Sequence, residues 1–303
     1  MKFTDLRGEV KLNEPLSSHT SFRIGGPVDA LVYPADKQDV IVLLKEIKNR
    51  GLNYFFLGGG TNLLVRDGGF RGVAVSLARI ASISLDREYR SVGGTFAVLH
   101  VQAGAPLQRL LNFSVENGLT GLEFATGIPG TVGGAVCMNA GTTDGELGDI
   151  TDSVTLISPD GRLITKSREE MGFGYRTAKI PGGHVVLEAT ITLRRGTEEK
   201  IKNRVKELMD KRKQHQPWGM PSAGSVFKNP QDVAAGQLIE SSGLKGKTVG
   251  GAQISEKHAN FIVNLGSAKA ADVLALMEMV KEKVLAVHNV RLEPEIKIIG
   301  EDA

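Results

Sequence analysis

Residues 57–64, LGGGTNLL, place three consecutive glycines directly after NYFFL, an apolar run that is typical of a buried strand. Consecutive glycines leave backbone N–H groups open, so several of them can converge on a phosphate at the end of a strand. The segment is neither a G-x-G-x-x-G fingerprint nor a Walker loop, because no Gly-Lys-Ser/Thr follows. A simple glycine turn between strands therefore remains an equal alternative.

A second glycine-rich segment, ATGIPGTVGGAVCMNAG, occupies residues 125–141. Its side chains are mostly small and all are uncharged, and Pro129 restricts the backbone within the segment. Alone, the segment favours a packed Gly/Ala turn in a β-rich core. Two such segments in one domain instead favour a dinucleotide, because its pyrophosphate needs several neutral hydrogen-bond donors.

The composition is that of a globular protein in a reducing compartment. The chain has 303 residues, which predicts two or three domains, and its formal charge of +3 does not by itself indicate nucleic acid. A single cysteine, Cys137, excludes an internal disulfide and a cysteine-ligated structural zinc, and no metal site is predicted. Among its small neighbours, Cys137 is expected to be a buried core thiol.

The sequence MKFTDLRGEV lacks the apolar core of a signal peptide, and no stretch approaches 18 apolar residues. We therefore expect a cytoplasmic protein without membrane insertion.

The hydrophobic patterns predict a mixture of helices and strands. Residues 33–51 predict a helix with Asp36 as N-cap and Gly51 past its end, and residues 152–167 predict a hairpin around Pro-Asp-Gly. Further along, the patterns predict a strand at 184–196, a charged helix at 197–213, a helix at 233–242, a strand at 259–266, a helix at 268–288 and a last strand at 291–300. The apolar face of the helix at 268–288 is predicted to consist of Val273, Met277, Val280, Val284 and Val287.

The segment PSAGSVFKNP, residues 221–230, presents Ser225 without a nearby base. The closest histidines in sequence, His215 and His258, do not have the spacing of an activated serine nucleophile. On this segment alone, a turn serine is the favoured interpretation.

Six segments occur in order along the chain: TSFRIGGP (20–27), GGGTNLL (58–64), TGIPGTVGGAVCMNAG (126–141), GYR (174–176), AGSVFKNP (223–230) and LEPEIKIIG (292–300). Together they resemble the UDP-N-acetylenolpyruvoylglucosamine reductase (UDP-N-acetylmuramate dehydrogenase) family over about residues 15–300. The glycine-rich segments alone indicate only the wider class of FAD-binding domains of the vanillyl-alcohol-oxidase/p-cresol methylhydroxylase type. The chain length resembles the shorter subtype, which lacks a substrate-covering tyrosine loop.

The resemblance implies an α+β fold, in which a two-part FAD-binding domain of the vanillyl-alcohol-oxidase type precedes an α+β substrate-binding domain. We assign residues 1–64 and 65–205 to the two FAD-binding subdomains and residues 206–303 to the substrate-binding domain. The last strand is expected to pack toward the FAD site, because Glu295 must reach it.

The implied activity is the reduction of enolpyruvyl-UDP-N-acetylglucosamine to UDP-N-acetylmuramate, in peptidoglycan precursor synthesis. NADPH reduces non-covalent FAD, which then delivers hydride to the β-carbon of the enol ether. Ser225 matches the family's proton donor to the α-carbon, a role that needs no histidine. Arg176 matches an arginine that holds the carboxylate, and Glu295 matches a glutamate that helps to polarise or protonate the intermediate.

The remaining implied site residues fall into two groups. The expected cofactor contacts are Gly58, Gly59, Gly60, Thr61, Asn62, Leu63, Thr126, Gly127, Ile128, Pro129, Gly130, Gly133, Gly134, Ala135 and Asn139. The expected substrate contacts are Tyr175, Lys228, Asn229, His258 and Asn260. The partner is a UDP-sugar, and we expect a monomer that binds no nucleic acid.

Two other functions stay open on the sequence. The first is an FAD-dependent oxidase of the same fold class, which would require a different C-terminal domain from the one that AGSVFKNP and LEPE indicate. The second is a non-catalytic nucleotide or nucleic-acid binder that uses the basic helix at residues 200–213. The chain contains no RNP-like aromatic pattern or DNA-reading motif in support of it.

Overall fold

The structure is a computed structural model, and it describes Phe3, residues 5–231 and residues 233–303. The chain folds into two compact units. The first comprises the chain up to Lys11 together with Ala30–Gly59 and Val73–Lys211, and the second comprises Leu12–Asp29, Gly60–Gly72 and Arg212–Ala303.

Helices and strands are interspersed along the chain. The strands are β1 (Glu9–Pro15), β2 (Pro27–Tyr33), β3 (Tyr54–Leu57), β4 (Leu63–Val65), β5 (Phe70–Ser76), β6 (Ile83–Ser91), β7 (Gly94–Gln102), β8 (Leu119–Thr120), β9 (Gly141–Thr142), β10 (Gly145–Glu146), β11 (Thr151–Ile157), β12 (Leu163–Ser167), β13 (Val185–Arg195), β14 (Thr248–Val249), β15 (Ala252–Ile254), β16 (Ile262–Asn264) and β17 (Lys297–Ile299). The α-helices are α1 (Lys37–Asn49), α2 (Leu107–Glu116), α3 (Val132–Cys137), α4 (Leu147–Ile150), α5 (Arg168–Met171), α6 (Glu198–His215), α7 (Ala235–Ser241) and α8 (Ala270–His288). Short 3-10 helices span Leu16–His19 and Glu123–Ala125.

Two sheets organise the first unit. An antiparallel sheet has the strand order β12-β11-β13-β7-β6, with β8 added beside β13. A second sheet has the order β1-β2-β5-β3, and its β3–β5 pair is parallel. Because Leu57 pairs with Ser76 at the end of β3, the chain leaves this sheet at Gly58. The sheet edge thus presents the first glycine-rich segment.

Local signals explain helix α1. Asp36 is its N-cap and accepts a hydrogen bond from the N–H of Asp39 at 2.9 Å, which satisfies a donor that the helix leaves open. The predicted apolar face is buried and consists of Val40, Leu43, Leu44 and Ile47. These side chains join the core of the first unit, so the prediction for this helix is confirmed.

The second unit has its own core around α8. The antiparallel sheet β14-β15-β16 and the parallel pair β4–β17 accompany this helix. Four predicted core residues of α8 are buried, namely Val273, Met277, Val280 and Val284. The prediction for Val287 is wrong, because this residue in the last turn is 50% exposed.

Two other expectations are wrong. The last strand is shorter than residues 291–300, because Pro294 forms an isolated bridge with Phe227 and regular pairing begins only at Lys297. Cys137 is exposed rather than buried, because it follows Val136, which faces the core, by about 100° around the helix axis. The other predicted helices and the hairpin at 152–167 are present.

Among the described residues, no helix combines the length and the apolar character that a membrane crossing requires.

Candidate functional site

The first glycine-rich segment is shaped by close backbone contacts. Gly58 and Gly59 are exposed at the end of β3, and a Cβ atom on Gly58 would lie 3.0 Å from Oγ1 of Thr131. Gly60 has a φ of +62°, and a Cβ there would lie 2.0 Å from the carbonyl oxygen of His19. Only glycine fits at Gly60, and the exposed pair before it leaves backbone open to a ligand.

The second glycine-rich segment opens helix α3. Thr131 is the N-cap and accepts from the N–H of Gly134 at 3.4 Å. Gly133 donates to the carbonyl oxygen of Ala103 at 2.8 Å, and a Cβ on Gly133 would lie 2.7 Å from the Cβ of Ala103. This close approach of helix to backbone excludes any larger residue at Gly133.

Thr126 carries an unsatisfied hydroxyl within this segment. Its side chain is fully buried, and its Oγ1 has no hydrogen-bond partner among the described residues. A buried hydroxyl without a partner is destabilising, so a ligand atom that bonds to it would stabilise the protein. The orphaned hydroxyl and the open glycines together fit a polar cofactor such as FAD.

Asn139 lies just beyond α3 in a left-handed conformation, with a φ of +41°. Its side chain is fully buried. Nδ2 donates to the carbonyl oxygen of Gly174 at 3.0 Å, and Oδ1 accepts from the N–H of Gly148 at 2.8 Å. The side-chain amide therefore bonds within the protein, and the contact of Asn139 with the cofactor remains a prediction.

Arg176 lies at the tip of a tight turn. Gly174 and Thr177 exchange two backbone hydrogen bonds of 3.0 and 3.1 Å, which leaves Tyr175 and Arg176 between them. Arg176 has a φ of +56°, and its guanidinium carbon lies 5.1 Å from the centroid of the Tyr175 ring. A non-glycine residue with positive φ is uncommon, and such residues concentrate at functional sites.

The segment that carries Ser225 is held from both sides. Ser225 forms an isolated antiparallel bridge with Phe261, and the N–H of Val226 donates to the carbonyl oxygen of Asn260 at 2.8 Å. On the other side, the N–H of Glu295 donates to the carbonyl oxygen of Val226 at 2.8 Å. The backbone of Glu295 is thus bonded to the residue after Ser225, and both side chains are half-buried.

Asn62 connects the glycine-rich segment to Glu295. Its Nδ2 donates to the carbonyl oxygen of Glu295 at 3.2 Å, and its own carbonyl oxygen accepts from the N–H of Lys297 at 2.9 Å. The Asn62 side chain therefore holds the backbone that carries the glutamate.

Two predicted substrate contacts follow Ser225. Nζ of Lys228 lies 3.3 Å from Oε2 of Glu293, in an exposed pair. Oδ1 of Asn229 accepts from the N–H of Ala235 at 3.0 Å, in the first turn of α7. The substrate contacts of Lys228 and Asn229 remain predictions.

Asn260 is bonded within the protein, and its expected substrate contact remains a prediction. It is 2% exposed, Oδ1 accepts from the N–H of Phe227 at 3.0 Å, and Nδ2 donates to the Phe227 carbonyl oxygen at 2.8 Å. The N–H of Asn260 donates to Nδ1 of His258 at 3.2 Å. Burial lowers the pKa of His258, which favours the neutral ring that can accept this bond.

Sequence reasoning missed Ser21, which lies in the segment TSFRIGGP. Its N–H donates to the carbonyl oxygen of Gly60 at 3.0 Å, and its hydroxyl donates to the carbonyl oxygen of Ser222 at 2.6 Å. The second of these carbonyls lies three residues before Ser225. The segment TSFRIGGP could have drawn attention to Ser21, because it is one of the six segments that carry the family resemblance. The partners of Ser21 are distant in sequence and could not be predicted from it.

Comparison with known proteins places these features in a class. Residues 28–167 match the model of an FAD binding domain, which includes both glycine-rich segments. Residues 216–299 match the C-terminal domain of UDP-N-acetylenolpyruvoylglucosamine reductase, which includes Ser225 and Glu295. Fold and matched domains define a flavin-dependent oxidoreductase.

Individual relatives narrow the class. The chain is 44% identical over 294 residues to UDP-N-acetylenolpyruvoylglucosamine reductase of Clostridium tetani, covering 97% of this chain and 93% of the relative. The reductase of Clostridium botulinum is 42% identical over 305 residues, covering 100% and 97%. The crystal structure of the reductase from Thermus caldophilus superposes with a TM-score of 0.80 at 36% identity, covering 97% and 99%. The chain belongs to the UDP-N-acetylenolpyruvoylglucosamine reductase family, so the predicted family, the α+β fold and the use of FAD are confirmed.

Proposed function

We propose that this chain reduces the enolpyruvyl ether of UDP-N-acetylglucosamine to UDP-N-acetylmuramate, with NADPH as reductant and FAD as bound cofactor. One observation carries the assignment of roles: the N–H of Glu295 bonds to Val226, directly after Ser225. The two residues expected to handle protons therefore lie on adjoining backbone segments of the second unit. The division at residues 64 and 205 remains a prediction.

The chain's own residues hold the cofactor. When bound, FAD would supply the hydride chemistry that links NADPH to the β-carbon of the enol ether. The open backbone at Gly58 and Gly59 would donate to polar atoms of FAD, and the orphaned hydroxyl of Thr126 would gain a partner. The other cofactor contacts expected from the sequence remain predictions, and for Asn139 the two amide bonds within the protein favour a structural role.

Arg176 binds the carboxylate of the substrate. Hydride addition at the β-carbon pushes negative charge through the α-carbon onto this group. A planar guanidinium can bind both carboxylate oxygens, and a donor fixed before the reaction stabilises developing charge most effectively. The tight turn between Gly174 and Thr177 fixes the backbone of Arg176 in this way.

Ser225 donates the proton that completes the reduction. Its hydroxyl transfers a proton to the α-carbon, and the serine oxygen is reprotonated afterwards from solvent. A hydroxyl is a weak acid toward water, but it is strong enough to protonate a carbanion-like centre. Glu295 helps to polarise or protonate the intermediate, and its backbone is fixed for this role by the bond that it donates to Val226 and the bond that it accepts from Asn62.

The visible spectrum of the purified protein tests this function. We expect a yellow protein that NADPH bleaches under anaerobic conditions and that the enolpyruvyl sugar nucleotide recolours. UDP-N-acetylglucosamine, which lacks the enol ether, should not restore the colour. Recolouring by oxygen with turnover of another substrate would instead support an oxidase, and a colourless protein would contradict the proposal.

The cellular location and the oligomeric state of the enzyme are also part of the proposal. A nucleotide sugar and NADPH are both soluble, so we infer a cytoplasmic enzyme. We further infer a monomer that binds no nucleic acid, because one chain supplies all the residues named above. Light scattering at micromolar concentration checks the mass, and a dimer that is required for turnover would contradict this part.

A further inference from the structure

We propose that Asn139 is a positioning residue for Arg176, acting on the turn that carries the arginine. This inference rests on the proposed function, in which Arg176 binds the substrate carboxylate. It gives a reason for a buried asparagine in a segment that is otherwise rich in glycine and apolar residues.

The turn contains an unfavourable backbone conformation. Gly174 and Thr177 close it with two backbone hydrogen bonds, and Arg176 between them adopts a φ of +56°. L-residues rarely occupy this region, because Cβ approaches the following carbonyl group. A further bond to the turn therefore helps to keep Arg176 in this conformation.

Asn139 supplies one such bond. Its Nδ2 donates to the carbonyl oxygen of Gly174, which also accepts from the N–H of Thr177. The orientation of the amide is fixed, because its Oδ1 accepts from the N–H of Gly148 and could not be replaced there by the NH₂ group. One asparagine thus ties the start of α4 to the first residue of the turn.

Packing around this asparagine leaves little freedom. A Cβ on Gly148 would lie 2.8 Å from the Cβ of Phe173 and 3.1 Å from Oδ1 of Asn139. Phe173, which directly precedes Gly174, packs against the core of the first unit. Asn139 itself has a φ of +41°, a region that asparagine tolerates better than most other side chains. The left-handed backbone and the two amide hydrogen bonds therefore both favour asparagine at this position.

Two variants separate the effect of the amide hydrogen bonds from the effect of the backbone conformation. Asn139→Gly keeps the left-handed backbone and removes both amide bonds, whereas Asn139→Asp keeps the acceptor for Gly148 and replaces the donor to Gly174. Asn289→Gly is the matched control, because Asn289 is also left-handed, with a φ of +54°, but is exposed at the end of α8. Bound FAD and circular dichroism establish that each variant is folded.

Stopped-flow measurement of the two half-reactions gives the test. We expect both Asn139 variants to be reduced by NADPH as fast as the unaltered protein. Their reoxidation by the enolpyruvyl sugar nucleotide should be slower by about 10- to 100-fold, because a displaced arginine loses its aligned contact. Binding of UDP-N-acetylglucosamine, which lacks the carboxylate, should not change. Equal slowing of both half-reactions, or weaker FAD binding, would overturn the proposal and restore the cofactor contact.

A double-mutant cycle distinguishes an effect of Asn139 that acts through Arg176 from a general effect on the structure. If Asn139 acts through Arg176, then Asn139→Gly should have almost no further effect on reoxidation in an Arg176→Ala background. Full multiplication of the two effects would contradict positioning. If the unaltered protein were not reoxidised by the enolpyruvyl sugar nucleotide at all, the proposed function would fail first, and the two failures are thereby distinguished.

Discussion

The amide of Asn260 and the backbone of Phe227 exchange two hydrogen bonds, of 3.0 and 2.8 Å. A buried side chain here replaces the ladder that a strand would provide. Together with the bond from the N–H of Val226 to the carbonyl oxygen of Asn260, these contacts fix the two residues after Ser225. The expected proton donor is therefore held by backbone contacts on a segment that forms only isolated bridges.

Asn260→Asp should destabilise the second unit. The carboxylate keeps the acceptor for the N–H of Phe227 but faces the Phe227 carbonyl oxygen without a donor. We expect a loss of about 1–3 kcal/mol in the free energy of unfolding, measured by urea titration. Asn203→Asp, on the exposed face of α6, is the control. Equal stability of the two variants would contradict a stabilising role for the hydrogen bonds between Asn260 and Phe227.

His258 should make stability depend on pH. Burial lowers its pKa below 6.5, with a smaller contribution from Lys245, so the unfolded chain binds a proton more readily than the folded one. Stability should then fall as the pH drops below about 6.5, until the lowered folded pKa is reached.

His258→Asn tests this dependence, because an asparagine Oδ1 can replace Nδ1 as the acceptor for the N–H of Asn260. The loss of stability between pH 7.5 and pH 5, measured by urea titration, should be smaller in this variant than in the unaltered protein. His184→Asn serves as control and should leave the dependence unchanged. The same slope in all three proteins would exclude His258 as its source.

Thr126→Val should weaken FAD binding without destabilising the protein free of FAD. The hydroxyl of Thr126 has no partner among the described residues, so its removal costs nothing there. We expect an FAD dissociation constant raised by about tenfold, which corresponds to one hydrogen bond.

Thr151→Val is the contrast for this experiment, because the buried hydroxyl of Thr151 donates to Leu147 at 2.7 Å. It should lower the melting temperature of the FAD-free protein and leave FAD affinity unchanged. A Thr126→Val protein that melts lower when free of FAD but binds FAD normally would reverse our assignment.

Gly60→Ala should be much more harmful than Gly51→Ala. Both glycines have a φ of +62°, so the conformational cost of an alanine is matched, at about 1–2 kcal/mol. At Gly51 a Cβ meets nothing within 4 Å, whereas at Gly60 it would lie 2.0 Å from the carbonyl oxygen of His19. Thermal unfolding and FAD content should therefore distinguish the two, and similar values would show that the His19 contact is unimportant.

Much of the fold could be predicted because its signals are local. Asp36, the apolar spacing of α1 and the Pro-Asp-Gly turn each act within a few residues. The wrong predictions concern which side chains of a helix are buried, because residue spacing does not define the exact edge of the buried face. Cys137 lies one position beyond a buried residue of a short helix, and Val287 lies in the last turn of α8.

The site could be located but not fully assigned from the sequence. The motifs identified the segments that carry Arg176, Ser225 and Glu295. The parts of Asn139 and Asn260 could not be predicted, because their partner carbonyls are 35 and 33 residues away along the chain. An asparagine beside a cofactor motif has the same sequence pattern whether it bonds a ligand or a distant backbone.

The central claim, that Ser225 donates the proton, is tested most directly by the two half-reactions of Ser225→Ala. Reduction of the bound flavin by NADPH should be unchanged, while reoxidation by the enolpyruvyl sugar nucleotide should be slower by about 100-fold or more. Ser222→Ala is the control, since the carbonyl oxygen of Ser222 that accepts from Ser21 is kept in the variant. If both half-reactions of Ser225→Ala slowed equally, or reoxidation kept its full rate, Ser225 would not be the donor.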